Sequence, residues 1–302
     1  MPDNFIKKLR IDIIKRALTE GGFASIPDGD YRPDATAWAV LALEAIGSDT
    51  ILVGESRKKL ALGQLDDGRV SLSKEHEKAF WPTALAVMAW SNSAECREFQ
   101  LLGIDFLLKT KGKHFQKKKE FVTGHDTSIC GWPWIDETHS WVEPTSLVLL
   151  ALEATGNGDH ERAREARRML LDRQLHDGGW NYGNTTVFGR QLRPMPESTG
   201  LALNAIAKRI NRKDVEKSIF YLKQEMNLVK TPLSFSWGFL GLSAWDERPQ
   251  IDENSLIANY RRRETIGVQR TEELCLVVIC MLSRTGLLGL FKNNASGWKK
   301  AS

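Results

Sequence analysis

Cysteine is scarce in this 302-residue chain, with four in all. Cys96, Cys130, Cys275 and Cys280 have neither the close pairing of a zinc site nor the spacing of a disulfide framework. Cys275 and Cys280 stand inside an apolar run, where cysteine behaves as a small hydrophobe. No metal and no cofactor is expected. No apolar stretch reaches the roughly 20 residues that cross a bilayer. The N-terminus carries charges where the apolar part of a secretion leader would stand, so a cytoplasmic location is expected. A Gly-rich phosphate loop and a nucleophile elbow are both missing. The net charge is only +4 and is spread along the chain, so no nucleic-acid partner is expected. The one dense run, Lys109–Lys119, reads as a solvated loop. No segment alternates with the period of a strand.

What the chain has instead is a recurring phrase. Pro33-Asp34-Ala35-Thr36-Ala37-Trp38-Ala39-Val40-Leu41 returns as Pro82-Thr83-Ala84-Leu85-Ala86-Val87, as Glu143-Pro144-Thr145-Ser146-Leu147-Val148, and as Pro196-Glu197-Ser198-Thr199-Gly200-Leu201. Self-similarity at about fifty residues means stacked copies of one supersecondary unit. Pro suits the first helical position, where its missing N–H would have been unpaired. Asp34, Glu143 and Glu197 sit where the positive end of a helix dipole favours an anion. The residues that follow are apolar on nearly every side, which predicts fully buried inner helices. Two further starts, at Pro232 and Thr271, bring the inner helices to six. Between them lie amphipathic stretches, clearest over Arg162–Gln174, where Ala163, Ala166, Met169 and Leu170 share a face. These predict outer helices, with Asn4–Leu18, Ser56–Leu65, Glu95–Leu108, Lys213–Met226 and Ile251–Asn259 as the others. The repeat runs almost from end to end, so residues 1–302 are read as a single domain.

Leu170-x-x-x-Gln174 followed by Gly178-Gly179-Trp180 resembles the glutamine–tryptophan repeat of squalene–hopene cyclases and related triterpene cyclases. Leu60-x-x-x-Gln64 with Gly68, Glu20-Gly21-Gly22-Phe23, and Gly131-Trp132-Pro133-Trp134 look like worn copies of it. The resemblance implies an all-α fold, an α/α toroid of about six hairpins, which the β subunits of protein prenyltransferases share. It also implies that the Gln caps a helix end while the Trp stacks on a neighbouring turn. The cyclases protonate an alkene with an Asp-x-Asp-Asp motif that runs into Thr-Ala. Here the matching residues read Arg32-Pro33-Asp34-Ala35-Thr36-Ala37, with Asp34 at the proton-donating position and Arg32 and Ala35 in place of its acidic neighbours. The Asp, Cys and His that hold zinc in the prenyltransferases have no match.

The long stretch from Lys109 to Ser140 breaks the repeat rhythm, and such departures carry function. It holds His125, Asp126, Trp132, Trp134 and His139 shortly before Trp141 and Glu143. Asp34, His139 and Glu143 are the expected catalytic residues, as acid or base. Trp38, His125, Asp126, Trp132, Trp134, Trp141 and Trp237 are the expected lining of a binding cavity. Two structural readings stand beside these, in which the acids serve only as helix-end charges and the tryptophans only plug the repeat interface. The resemblance implies a terpene cyclase-like or prenyltransferase-like protein that acts on or binds an isoprenoid or another apolar small molecule. A non-catalytic toroid that binds a ligand or a partner protein, and a carbohydrate-active toroid with paired carboxylates, remain as alternatives. Peripheral membrane contact through Gly286–Phe291 also stays open.

Overall fold

The computed structural model describes residues 2–48, 50–116, 124–249, 253–265 and 267–294. Six inner helices begin where the recurring phrase places them. They are α2 (Pro33–Ile46), α4 (Pro82–Ala89), α6 (Val142–Ala154), α8 (Pro196–Ile206), α10 (Pro232–Ser243) and α12 (Thr271–Leu282). Only α6 departs, starting two residues before Pro144. The outer helices are α1 (Pro2–Ile14), α3 (Thr50–Leu62), α5 (Arg97–Lys109), α7 (Glu161–Asp172), α9 (Arg212–Glu225) and α11 (Glu253–Glu264). A two-residue hairpin, β1 (Thr186–Val187) with β2 (Arg190–Gln191), is the one sheet among the described residues.

Each inner helix packs on the next, and α12 packs on α2, so the inner layer closes into a ring of six. Outer helices α3, α5, α7, α9 and α11 each lie against the inner helix that precedes them in the chain. Helix α1 breaks that order by packing on α12, the last inner helix. The ends of the chain are thereby stitched together. Thr271 donates through its N–H to Ser25 O (2.8 Å) and through its hydroxyl to Ala24 O (2.6 Å), and Arg16 Nη2 donates to Gln269 O (3.2 Å). The fold is an all-α, α/α toroid.

One linkage repeats through four of the units. The hydroxyls of Thr36, Thr83, Thr145 and Thr199 each accept from a loop N–H at 2.9 Å, those of Phe23, Val70, Trp132 and Trp180 in turn. A threonine in the first turn of each inner helix thus fixes the loop that arrives from the outer layer. The loop Trp then ties that layer down: Trp180 Nε1 donates to Leu170 O (2.7 Å) and Trp132 Nε1 to Leu107 O (2.8 Å), both carbonyls near the end of an outer helix. Leu170 O also accepts from the Arg173 N–H (3.1 Å), so there the indole adds a second bond to a helix-end carbonyl and ties the loop to the outer layer.

The glutamine works differently from the role the resemblance implies. Gln174 Nε2 donates to Ser218 Oγ on α9 (2.6 Å), and Gln64 Nε2 donates to Phe99 O on α5 (2.9 Å) as well as to Gly68 O (2.8 Å). The Gln bridges to the next outer helix, and the Trp satisfies the helix end. Gly178, at φ +95°, lets this turn approach α9 so closely that a Cβ would run into the Lys217 backbone.

At the ring axis Trp38 of α2 meets Trp237 of α10 edge to face, with centroids 5.8 Å apart, although α12 lies between their helices in the ring. Both are about 95% buried. At the C-terminal end of the inner helices a 3₁₀ segment, Leu287–Asn294, packs on α6, and Leu287 N donates to Asn204 Oδ1 of α8 (3.2 Å). Leu287 is fully buried, so the segment expected to end the last helix or touch a membrane begins as a stopper beneath the ring. No helix among the described residues is long and apolar enough to cross a membrane.

Candidate functional site

All six inner helices point their N-termini to the same end of the ring, here termed the mouth. Four carry an acid in the first turn: Asp34 on α2, Glu143 on α6, Glu197 on α8 and Glu272 on α12. The ring order places these acids as two pairs of neighbours, on α12 and α2 at one side and on α6 and α8 at the opposite side.

In the first pair Asp34 is nearly buried, and both its oxygens accept from Arg32, Oδ1 from Nε at 2.8 Å and Oδ2 from Nη2 at 2.6 Å. The guanidinium thus grips both oxygens in paired, charge-assisted hydrogen bonds. Glu272, beside it, is shifted upward by burial and by the charge of Asp34, and its two oxygens accept from Ser25 Oγ at 3.0 and 2.9 Å. Glu272 is the acid that its surroundings at this wall push toward the neutral form. The sequence reading passed it over because it looked like one of two ordinary first-turn acids, Glu272-Glu273.

In the second pair Glu143 is pushed up to about 7, first by burial and then by the negative charge of Glu197. The residue as a whole is partly exposed, while protein crowds its carboxyl. Glu197 Oε2 accepts from Ser234 Oγ on α10 at 2.7 Å. An acid near neutrality beside a second carboxylate is the arrangement by which a site divides acid and base roles.

A cavity of about 590 Å³ lies beside Trp141, two residues before Glu143, walled largely by the irregular loop that the sequence singled out; neither Glu143 nor Glu197 is among its lining residues. His125, His139 and Trp141 are among its lining residues, so two of the expected cavity residues and one of the expected catalytic residues come together. His114, Phe115 and Arg173 line it as well. The Gly131 N–H donates to Ser140 Oγ (3.1 Å), Ser140 Oγ lies 3.2 Å from His114 Nε2, and His114 Nδ1 lies 3.3 Å from Thr127 O. A neutral imidazole protonated on Nδ1 satisfies all three contacts. Burial, the leading cause, shifts His114 downward and favours that neutral form. His139 is exposed and stands edge to face with Phe115 at 5.5 Å.

Five expected cavity residues lie elsewhere. Trp132 is fully buried as the Trp of its repeat, with the Arg162 guanidinium 4.6 Å from its ring centre. Trp134 packs on Trp81 at 5.5 Å. Asp126 closes a turn, its Oδ1 accepting from Ser128 N (2.9 Å) and Oγ (2.7 Å). Trp38 and Trp237 fill the axis against each other. For the four tryptophans the reason is that indole rings gain more by burial than by facing a ligand, whereas the Asp126 carboxyl is used up in its own turn. Among the described residues no three His, Cys, Asp or Glu converge as a metal site would require.

No family model and no curated protein matches this chain. Solved structures do. An α-1,6-mannanase of Salegentibacter, solved as an inactive variant in complex with α-1,6-mannotriose, superposes with a TM-score of 0.60 at 12% identity, over 94% of this chain and 99% of that one. An α-amylase from Clostridium perfringens gives 0.58 at 11% identity, over 92% and 97%. A type II terpene cyclase from Scytonema gives 0.47 at 17% identity, over 92% and 80%. At such identities the likeness establishes the toroid fold and nothing finer.

Proposed function

We propose that the mouth of this toroid is an acid–base site for a hydroxyl-rich substrate of the carbohydrate class, with Glu143 as general acid and Glu197 as its carboxylate partner. The observation that carries this reading is Glu143 itself. It is held near neutrality by burial and by Glu197, and the residue is partly exposed. A group that titrates near the working pH both holds a proton and releases it. In glycosidic cleavage Glu143 gives that proton to the departing sugar oxygen as the C–O bond breaks. Glu197 stabilises the cationic sugar and takes a proton from the entering water. Trp141, immediately before α6, offers a ring face at the rim for a sugar to stack on. The mannanase and amylase toroids that superpose on most of this chain lend support, since an open polar mouth with paired carboxylates suits such substrates.

The test is product analysis of the purified chain with α-1,6-mannotriose and with linear malto-oligosaccharides. Sugar release that falls about 10²- to 10⁴-fold in both Glu143→Gln and Glu197→Gln is the expected result. No release from any member of the panel refutes the reading.

A second reading rests on the opposite wall. Glu272 is pushed toward its neutral form beside Asp34, and Trp38, the Trp at the axis, lies one turn below Asp34 on α2. An isoprenoid bound there would meet an acid above aromatic rings that stabilise a carbocation, with Glu272 rather than Asp34 as donor. Conversion of a polyprenyl substrate that is lost in Glu272→Gln and kept in Glu143→Gln would decide for this reading.

A further inference from the structure

The geometry points to the cavity beside Trp141 as a binding site for an oxyanion, the phosphate or carboxylate of a small molecule with an aromatic or apolar body. The deciding group is Arg173, which follows directly on outer helix α7. It is 95% buried, lines the cavity, and donates through Nη1 to Gly183 O at 2.7 Å. Its Nε has no hydrogen-bond partner. The nearest carboxylate oxygen, Asp172 Oδ2, lies 3.9 Å away and already accepts from the Asp126 N–H at 2.8 Å.

A buried guanidinium with an unused donor incurs a desolvation cost that a ligand anion would offset. Burial lowers Arg173 to about 10 despite the nearby charges of Asp172 and Asp126, so these acids do not compensate it fully. The rest of the wall agrees. Lys113 brings a second cation, and Gln116 and Asn184 bring neutral amide donors. No Asp or Glu is among the described lining residues. Phe115 and Trp141 supply flat apolar surface, and the volume of about 590 Å³ suits a whole small molecule and not only an ion.

The site uses different side chains from the Glu143–Glu197 pair, and its test is a binding measurement that does not depend on turnover. Phenyl phosphate, benzoate and inorganic phosphate are titrated into the full chain by calorimetry, with Trp fluorescence as a second readout. Saturable one-to-one binding of phenyl phosphate or benzoate is expected, tighter than that of inorganic phosphate. Whichever of the two binds more tightly identifies the oxyanion as phosphate or carboxylate.

Arg173→Gln is expected to weaken that binding about tenfold or more, as the loss of a charge-assisted hydrogen bond does. Lys113→Gln, at a solvent-exposed position, is expected to weaken it about threefold. If Arg173→Gln does not fold by circular dichroism, Lys113→Gln and Asn184→Ala decide on their own. Binding unchanged in these variants, or no saturable binding of any probe up to about 10 mM, overturns the proposal.

Discussion

Replacing Glu143 by Gln is expected to make the protein more stable above neutral pH while removing activity. The magnitude follows from the carboxyl's environment. Glu143 moves from an ordinary 4.5 to about 7 on folding. The folded state therefore binds this proton more tightly than the unfolded state between those two values. Its stability contribution is fully present below about pH 4.5 and is lost as pH rises through 7. At about 1.4 kcal/mol per pH unit the interval of about 2.5 units is worth at most about 3.5 kcal/mol, and the partial exposure of the residue reduces this toward about 1–2 kcal/mol. Gln has the same shape and no charge to desolvate. Urea unfolding of wild type and Glu143→Gln at pH 5 and pH 8 should give nearly equal midpoints at pH 5 and a clear advantage for the variant at pH 8. Glu272, also shifted upward, retains its own pH dependence in both proteins and cancels in the comparison. A difference that is independent of pH, or that grows as pH falls, would refute the assignment of Glu143 as a strained acid.

Trp180→Ala should lower stability by about 4 kcal/mol, because it opens a cavity in place of a fully buried indole and removes its hydrogen bond to Leu170 O. Trp180→Phe should cost only about 1–3 kcal/mol, and a urea midpoint for it equal to wild type would contradict the role given to the indole N–H. Gly178→Ala should cost about 2–4 kcal/mol, since the new Cβ meets the Lys217 backbone at a positive φ; a wild-type melting temperature would show that the turn yields. Asp34→Asn should cost about 1–2 kcal/mol by breaking its paired contacts with Arg32. The same change removes a charge that raises Glu272, so NMR titration should find Glu272 ionising at lower pH, and no movement would disprove the coupling across α2 and α12.

The ring was legible because its signal is local. Pro at the first helical position and an apolar run after it mark an inner helix without knowledge of its neighbours, and five of six starts fall on the expected residue. Closure was not legible, since the N-terminal helix pairs with the last inner helix and nothing near residue 10 in the sequence refers to residue 275. The threonine linkage was in view as a hydroxyl in every phrase, but its partner, a loop N–H 13 or 19 residues away, appears only in three dimensions. The site divides in the same way. His125, His139, Trp141 and Glu143 crowd one stretch of chain and stood out. Arg173 follows an amphipathic helix and reads as one more surface cation. Glu272 becomes unusual only because closure of the ring brings it to Asp34.

Two of the four acids at the mouth, Glu143 and Glu272, are not in the situation of ordinary helix-end charges. Inner helices α4 and α10 begin without any acid in the first turn and pack in the same ring, with Thr83 pinning one arriving loop and Thr231 accepting from Ser234 N to cap the other. A helix-end acid is stabilising when it is solvated, by a few tenths of a kcal/mol to about 1. Glu143 and Glu272 are not in that regime, because burial and a like charge on the adjacent helix push each toward its neutral form. Stability alone would favour Ser or Thr at both positions, as α4 and α10 illustrate. Acids kept against that gradient, in two facing pairs, at the end of the ring opposite its stopper, are what a site that manages protons requires.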